Sequence, residues 1–151
     1  MPDIHVNTKV GVGAIGSVTN GTSIGTDGLT FCVGVIAVDG LNTTCAHFSC
    51  GFGGASTPEK VQQIMDETTR ILTDAHLETG STWGYANHSN DWTSDAIVNA
   101  CLNYFITDPN PASRTAETIS INAAGDIEVS FDNVVGEVTV ENTGAEVNPP
   151  A

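Results

Sequence analysis

The stretch Thr26-Asp-Gly-Leu-Thr-Phe-Cys32-Val-Gly-Val-Ile-Ala-Val38-Asp-Gly-Leu-Asn-Thr-Thr-Cys45-Ala-His47-Phe-Ser-Cys50-Gly51 decides how the chain folds. It holds three of the four cysteines, a histidine and the most continuous apolar run, Val33 to Val38. Asp39-Gly40 lies between apolar segments, which is the strongest short hairpin signal because a type I′ turn needs positive φ at both central positions. Counting outward from that turn predicts Val38 opposite Leu41, Gly34 opposite Cys45 and Cys32 opposite His47. Directly opposed residues share a face, with Cβ atoms roughly 4.5–5.5 Å apart, so the expected register sets a thiol beside an imidazole.

Outward from the hairpin the patterning alternates between two periods. Residues Ile4 to Val18 read as one or two glycine-rich strands, followed by turns at Asn20-Gly21 and Asp27-Gly28. After the glycines of 51–55, Thr57 before Pro58 opens a helix, and Ser56 with Glu59 has capping-box spacing. Its apolar stripe is Val61, Ile64, Met65, Thr68, Ile71, Leu72 and Ala75. Thr82 to Ala86 reads as a short strand, 87–93 as a polar loop, and Ser94 to Phe105 as a second helix stopped by Asp108-Pro109-Asn110-Pro111. From Thr118 the period becomes two: Ile119 and Ile121, then Ile127, Val129 and Phe131, flank a turn at 123–126, and Val138 with Val140 suggests a last strand. The expected fold is α+β, a mainly antiparallel, sandwich-like sheet system with two helices packed on it. One domain over 1–141 and a flexible tail over 142–151 are expected.

Composition narrows the partners. Four basic against 18 acidic residues give a net charge of −14, which argues against binding nucleic acid or anionic membrane surfaces. No segment has the length of a spanning helix, and the first residues have no basic region followed by an apolar one, so no membrane insertion is expected. The expected location is the cytoplasm, or outside it by a route without a visible Sec signal. Four cysteines in 151 residues do not amount to a disulfide scaffold.

Cysteine attacks as a thiolate, and a neighbouring histidine removes the proton and holds the ion pair. Cys32 and His47 are the candidate nucleophile and base, with Thr26 a candidate to orient the second imidazole nitrogen through its carbonyl or hydroxyl. Cys45 is a rival on the histidine's own face, but neighbours i and i+2 on a strand are roughly 6.5–7 Å apart, farther than a cross-strand pair. Cys50 is expected to face away or lie in a loop, and Cys101 to pack within the second helix. Two other readings stay open: a binding or structural module whose cysteines are buried filler, and a metal site drawn from Cys32, Cys45, His47 and Cys50. His5, His76 and His88 read as surface residues. Gly11-Val-Gly13-Ala-Ile-Gly16 matches a dinucleotide fingerprint, but no helix pattern follows it.

The segment Thr26-Asp-Gly-Leu29-Thr30-Phe31-Cys32-Val-Gly-Val, followed by His47, resembles the active-site region of the CheD and cytotoxic necrotizing factor superfamily of glutamine deamidases. The order of later elements is similar over most of the chain. The resemblance implies Cys32 as nucleophile, His47 as base and Thr26 as orienter, with Leu29, Thr30 and Phe31 forming the substrate entrance and oxyanion segment. It implies a protein substrate with an exposed glutamine and no cofactor or metal. Family members usually carry small residues just before the cysteine and Leu-Pro after the histidine. Thr30-Phe31 and the segment after His47 depart from both patterns, so a divergent chemoreceptor-type enzyme or a toxin-like effector is implied.

Overall fold

The structure is a computed structural model that describes residues 2–89 and 91–150. Over the described residues it is an α+β fold of two five-stranded mixed sheets and two helices. The first sheet runs in the order β10 (Asn133–Val140), β1 (Asp3–Val10), β3 (Ile24–Thr26), β8 (Thr118–Ile121), β9 (Ile127–Ser130). The second runs β2 (Ile15–Thr19), β5 (Asn42–Phe48), β4 (Val33–Asp39), β6 (Thr82–Ala86), β7 (Ala112–Ser113). Five of the eight strand pairings are antiparallel; β1 pairs in parallel with β10 and β3, and β6 with β7.

The second sheet is the middle layer. On one face, Val33, Val35, Ala37, Ala46 and Phe48 pack against Ile64, Ile71 and Leu72 of α1 (Pro58–Asp74) and Ile97 and Cys101 of α2 (Trp92–Tyr104). On the other, Ile36 and Cys45 pack against Ile24, Ile119 and Ile121 of the first sheet. Burial on both faces explains why Val33–Val38 is continuously apolar rather than alternating. Trp83 anchors the helix side, stacked on Phe105 at 4.6 Å, with its indole N–H donating to the Thr107 carbonyl at 2.8 Å. No helix among the described residues is long and apolar enough to cross a membrane.

Both helices start where side chains satisfy open backbone donors. Thr57 caps α1 by accepting from the Lys60 N–H, so the cap belongs to Thr57 rather than to a Ser56 box. α2 begins before the expected Ser94, because Asp91 accepts from the Thr93 N–H at 2.7 Å and forms a capping box with Ser94.

Two further expectations are corrected. The β4–β5 ladder pairs Asp39 with Asn42, Ile36 with Cys45, Gly34 with His47 and Val33 with Phe48. The turn is therefore Gly40-Leu41, not Asp39-Gly40, and neither turn residue has positive φ. The Asp39 carboxylate decides this, accepting from the N–H groups of Leu41 at 3.4 Å and Asn42 at 3.3 Å, as a residue opening a turn does. The partner shift is two residues, so every side chain keeps its face. The expected loose tail also docks: Ala145 and Val147 are buried, the Ile15 N–H donates to the Thr143 carbonyl at 2.9 Å, and the Ala145 N–H donates to the Gly13 carbonyl at 3.0 Å.

Candidate active site

The site is assembled at one end of the seam between the two sheets. Thr26 is not in a loop but is the last residue of β3, fully buried and paired with Ile119. His47 lies on β5, 1% exposed. Its backbone is held by the glycine-rich turn that resembles a nucleotide fingerprint: the His47 N–H donates to the Ala14 carbonyl and its carbonyl accepts from the Gly13 N–H, both at 2.9 Å. Gly13 has φ of +75°, which suits glycine, and the C-terminal segment closes over the same turn through Ala145.

The imidazole is oriented by a chain of two hydrogen bonds. The Thr26 hydroxyl lies 2.6 Å from the Val10 carbonyl oxygen and 2.6 Å from His47 Nδ1. A carbonyl only accepts, so the single hydroxyl proton goes to Val10, and Nδ1–H must donate to Thr26 Oγ1. That assigns the Nδ1–H tautomer to the neutral ring and leaves the lone pair on Nε2. Nε2 is buried and, among the described residues, no nitrogen or oxygen partners it, which leaves it to the Cys32 sulfur.

Cys32 precedes β4 and so lies outside the ladder, beyond the Gly34–His47 pair on the same face. Leu29, fully buried, plugs the core between the sheets and anchors the entering loop. Gly34 makes room for it: a Cβ there would lie 2.7 Å from Leu29 Cδ1 and 2.9 Å from Ile119 Cγ2. Asp27 ties the loop to the first sheet, pairing with Lys9 at 3.1 Å and accepting from the Val134 N–H at 2.8 Å. Asn87, fully buried just after β6, donates from Nδ2 to the Cys32 carbonyl at 2.7 Å.

Electrostatics separate the four thiols, all of them free. Cys32 is pulled down to about 4: the largest cause is a hydrogen bond from the Cys50 side chain, opposed by burial and reinforced by the hydrogen bond and charge of His47. Cys32 is therefore a thiolate at neutral pH. Cys50 moves the opposite way, held as a thiol by its hydrogen bond to Cys32, by burial and by the charges of Cys32 and Asp91. Its single proton has two acceptors, the Cys32 sulfur and the Phe31 carbonyl oxygen. Burial pushes the Cys45 thiol up and raises Cys101 to about 12. Cys45, the rival nucleophile, faces Ile36 inside the inter-sheet core.

Phe31, 56% exposed, and Thr30 precede Cys32 on the surface side. The Thr30 hydroxyl donates to Glu117 at 2.9 Å, and Glu117 also sits 3.3 Å from His88 Nδ1. The His88 ring meets the exposed Phe131 edge-on at 5.1 Å. Cys32, His47 and Thr26 are thus brought together, but by diagonal placement rather than direct opposition. Cys50 and Asn87 were not legible as neighbours of Cys32. Cys50, expected to face away or lie in a loop, lies in the loop after β5, which ends at Phe48, so strand alternation does not set its direction. Among the described residues no group of three or more His, Cys, Asp or Glu is placed to hold a metal ion. The chain matches no protein-family model and no curated protein sequence.

Proposed function

We propose that the protein is a cysteine-dependent glutamine deamidase acting on other proteins. The observation that carries this reading is the 2.6 Å contact from Thr26 Oγ1 to His47 Nδ1, which leaves Nε2 as the ring atom that exchanges a proton with Cys32. The resemblance of Thr26–His47 to the CheD and cytotoxic necrotizing factor superfamily supports it. In this reaction Cys32 Sγ attacks the side-chain carboxamide carbon of a substrate glutamine. Backbone N–H groups near Cys32 hold the oxyanion. His47 Nε2, carrying the proton that left the thiol, delivers it to the departing nitrogen, and ammonia leaves a thioester. His47 then takes a proton from water, which attacks the thioester carbonyl. The products are glutamate and the restored Cys32–His47 pair.

Phe31, exposed directly before Cys32, suits a protein surface better than a free amino acid. The net charge of −14 favours neutral or basic targets. The test is exposure of a cell lysate to the purified protein, with ammonia release and glutamine-to-glutamate conversion read by mass spectrometry. Cys32→Ser and His47→Ala should each abolish both signals while Cys45→Ser retains them. Undiminished conversion by Cys32→Ser would exclude the mechanism.

A further inference from the structure

Cys50 has no role in the proposed reaction, yet it occupies a specific position beside the nucleophile. Its thiol hydrogen-bonds to the carbonyl of Phe31, the residue directly before Cys32, which sets the Cys50 sulfur at the peptide that enters Cys32 and close enough to act on its charge. The next residue is fixed independently: the Gly51 N–H donates to Thr93 Oγ1 at 2.8 Å, and Thr93 is held at 2.8 Å by the Asp91 cap of α2. Cys32 and Cys50 are both only half-buried, whereas Cys45 and Cys101 are sealed in the core. Both also lie outside their strands, Cys32 before β4 and Cys50 after β5, so no ladder hydrogen bond holds either backbone against the adjustment that disulfide geometry requires.

We propose that Cys32 and Cys50 form a redox pair in which a hydroperoxide oxidises Cys32 and Cys50 resolves it to a reversible intramolecular disulfide. The Cys32 thiolate attacks one peroxide oxygen, the O–O bond breaks and hydroxide leaves, taking the proton held on His47 to become water. Cys32 is then a sulfenic acid. The Cys50 sulfur attacks the Cys32 sulfur, the S–S bond forms, the S–O bond breaks, and the leaving hydroxide takes the Cys50 proton as a second water. The two thiols supply two electrons and the peroxide is reduced to water. Resolution protects the nucleophile from irreversible sulfinic acid, and a thiol reductant restores it.

The pairing stands apart from the deamidase reading; only the loss of deamidation on oxidation rests on it. The reduced full chain is treated with a small excess of hydrogen peroxide at neutral pH, alkylated and mapped without reduction. The expected result is loss of two of the four free thiols, a Cys32–Cys50 linked peptide, and return of both thiols with dithiothreitol. In Cys50→Ser, Cys32 should instead accumulate as a dimedone-reactive sulfenic acid and pass to sulfinic acid that dithiothreitol does not recover. Sulfinic acid at Cys32 in the native chain without the linked peptide, or a disulfide only between molecules, would overturn the proposal. Because the native chain supplies the decisive map, a folding defect in the variant does not blur it. A failed ammonia assay alongside a positive map would reject deamidation and keep the redox pair.

Discussion

Thr26 Oγ1 accepts the Nδ1 proton of His47 at 2.6 Å while donating its own to the Val10 carbonyl, so a residue of the first sheet sets the tautomer of a residue of the second. The orientation of the His47 ring is therefore coupled to the packing of the two sheets. Any change that parts them also releases the imidazole.

Thr26→Val removes the acceptor but keeps the shape, leaving a buried N–H without a partner. The expected cost is about 1–3 kcal/mol, read as a lower denaturant midpoint. Cys32 alkylation and ammonia release should fall together. Thr26→Ser restores the hydroxyl and should recover most of both, an outcome that a pure packing role for the threonine methyl would not give.

The low pKa of Cys32 sets the pH dependence. Thiolate predominates above about 4, so the alkylation rate at Cys32 should be level through neutral pH and fall only as pH drops through about 4. Cys50→Ala deletes the largest stabilising cause and should move the inflection upward. Thiolate ultraviolet absorbance against pH measures it directly; an unmoved inflection would show that the imidazole alone holds the thiolate.

Gly34→Ala forces a methyl group against Leu29 and Ile119, both fully buried. Overpacking of this kind costs about 1–3 kcal/mol, and here it also pushes out the plug that carries the Cys32 loop. Thermal unfolding should show the loss, and Cys32 labelling should change with it. Gly40→Ala, where an added Cβ meets nothing within 4 Å, should leave both measurements unaltered.

Deleting residues 143–151 removes buried Ala145 and Val147 and the hydrogen bonds to Gly13 and Ile15. The expected loss is about 2–4 kcal/mol from apolar burial and hydrogen bonding together. Because the Gly13–Ala14 turn also grips the His47 backbone, amide exchange at His47 should quicken in the shortened chain. Exchange unchanged from the full chain would show that the turn holds without the C-terminal segment.

Local patterns carried much of the fold. The stripe from Val61 to Leu72, the proline after Thr57, and the period of two from Ile119 to Val129 each express a contact within a few residues, which is why two helices and several strands were legible. The face shared by Cys32 and His47 was legible too, because a pairing shift of two residues leaves side-chain parity unchanged. The pairing itself was not, since it depended on whether the Asp39 carboxylate opened the turn or lay at its centre.

By itself, the sequence determined which residues face inward and which side chains can do chemistry. Tertiary structure alone decided that Thr26 closes on Nδ1, that Asn87 grips the Cys32 carbonyl and that Cys50 stands beside Cys32. Those contacts join residues 21, 55 and 18 positions apart, on different strands or beyond strand ends. No local periodicity encodes such contacts; they exist because two sheets and a helix cap bury their apolar faces together and bring these polar groups to the same end of the seam.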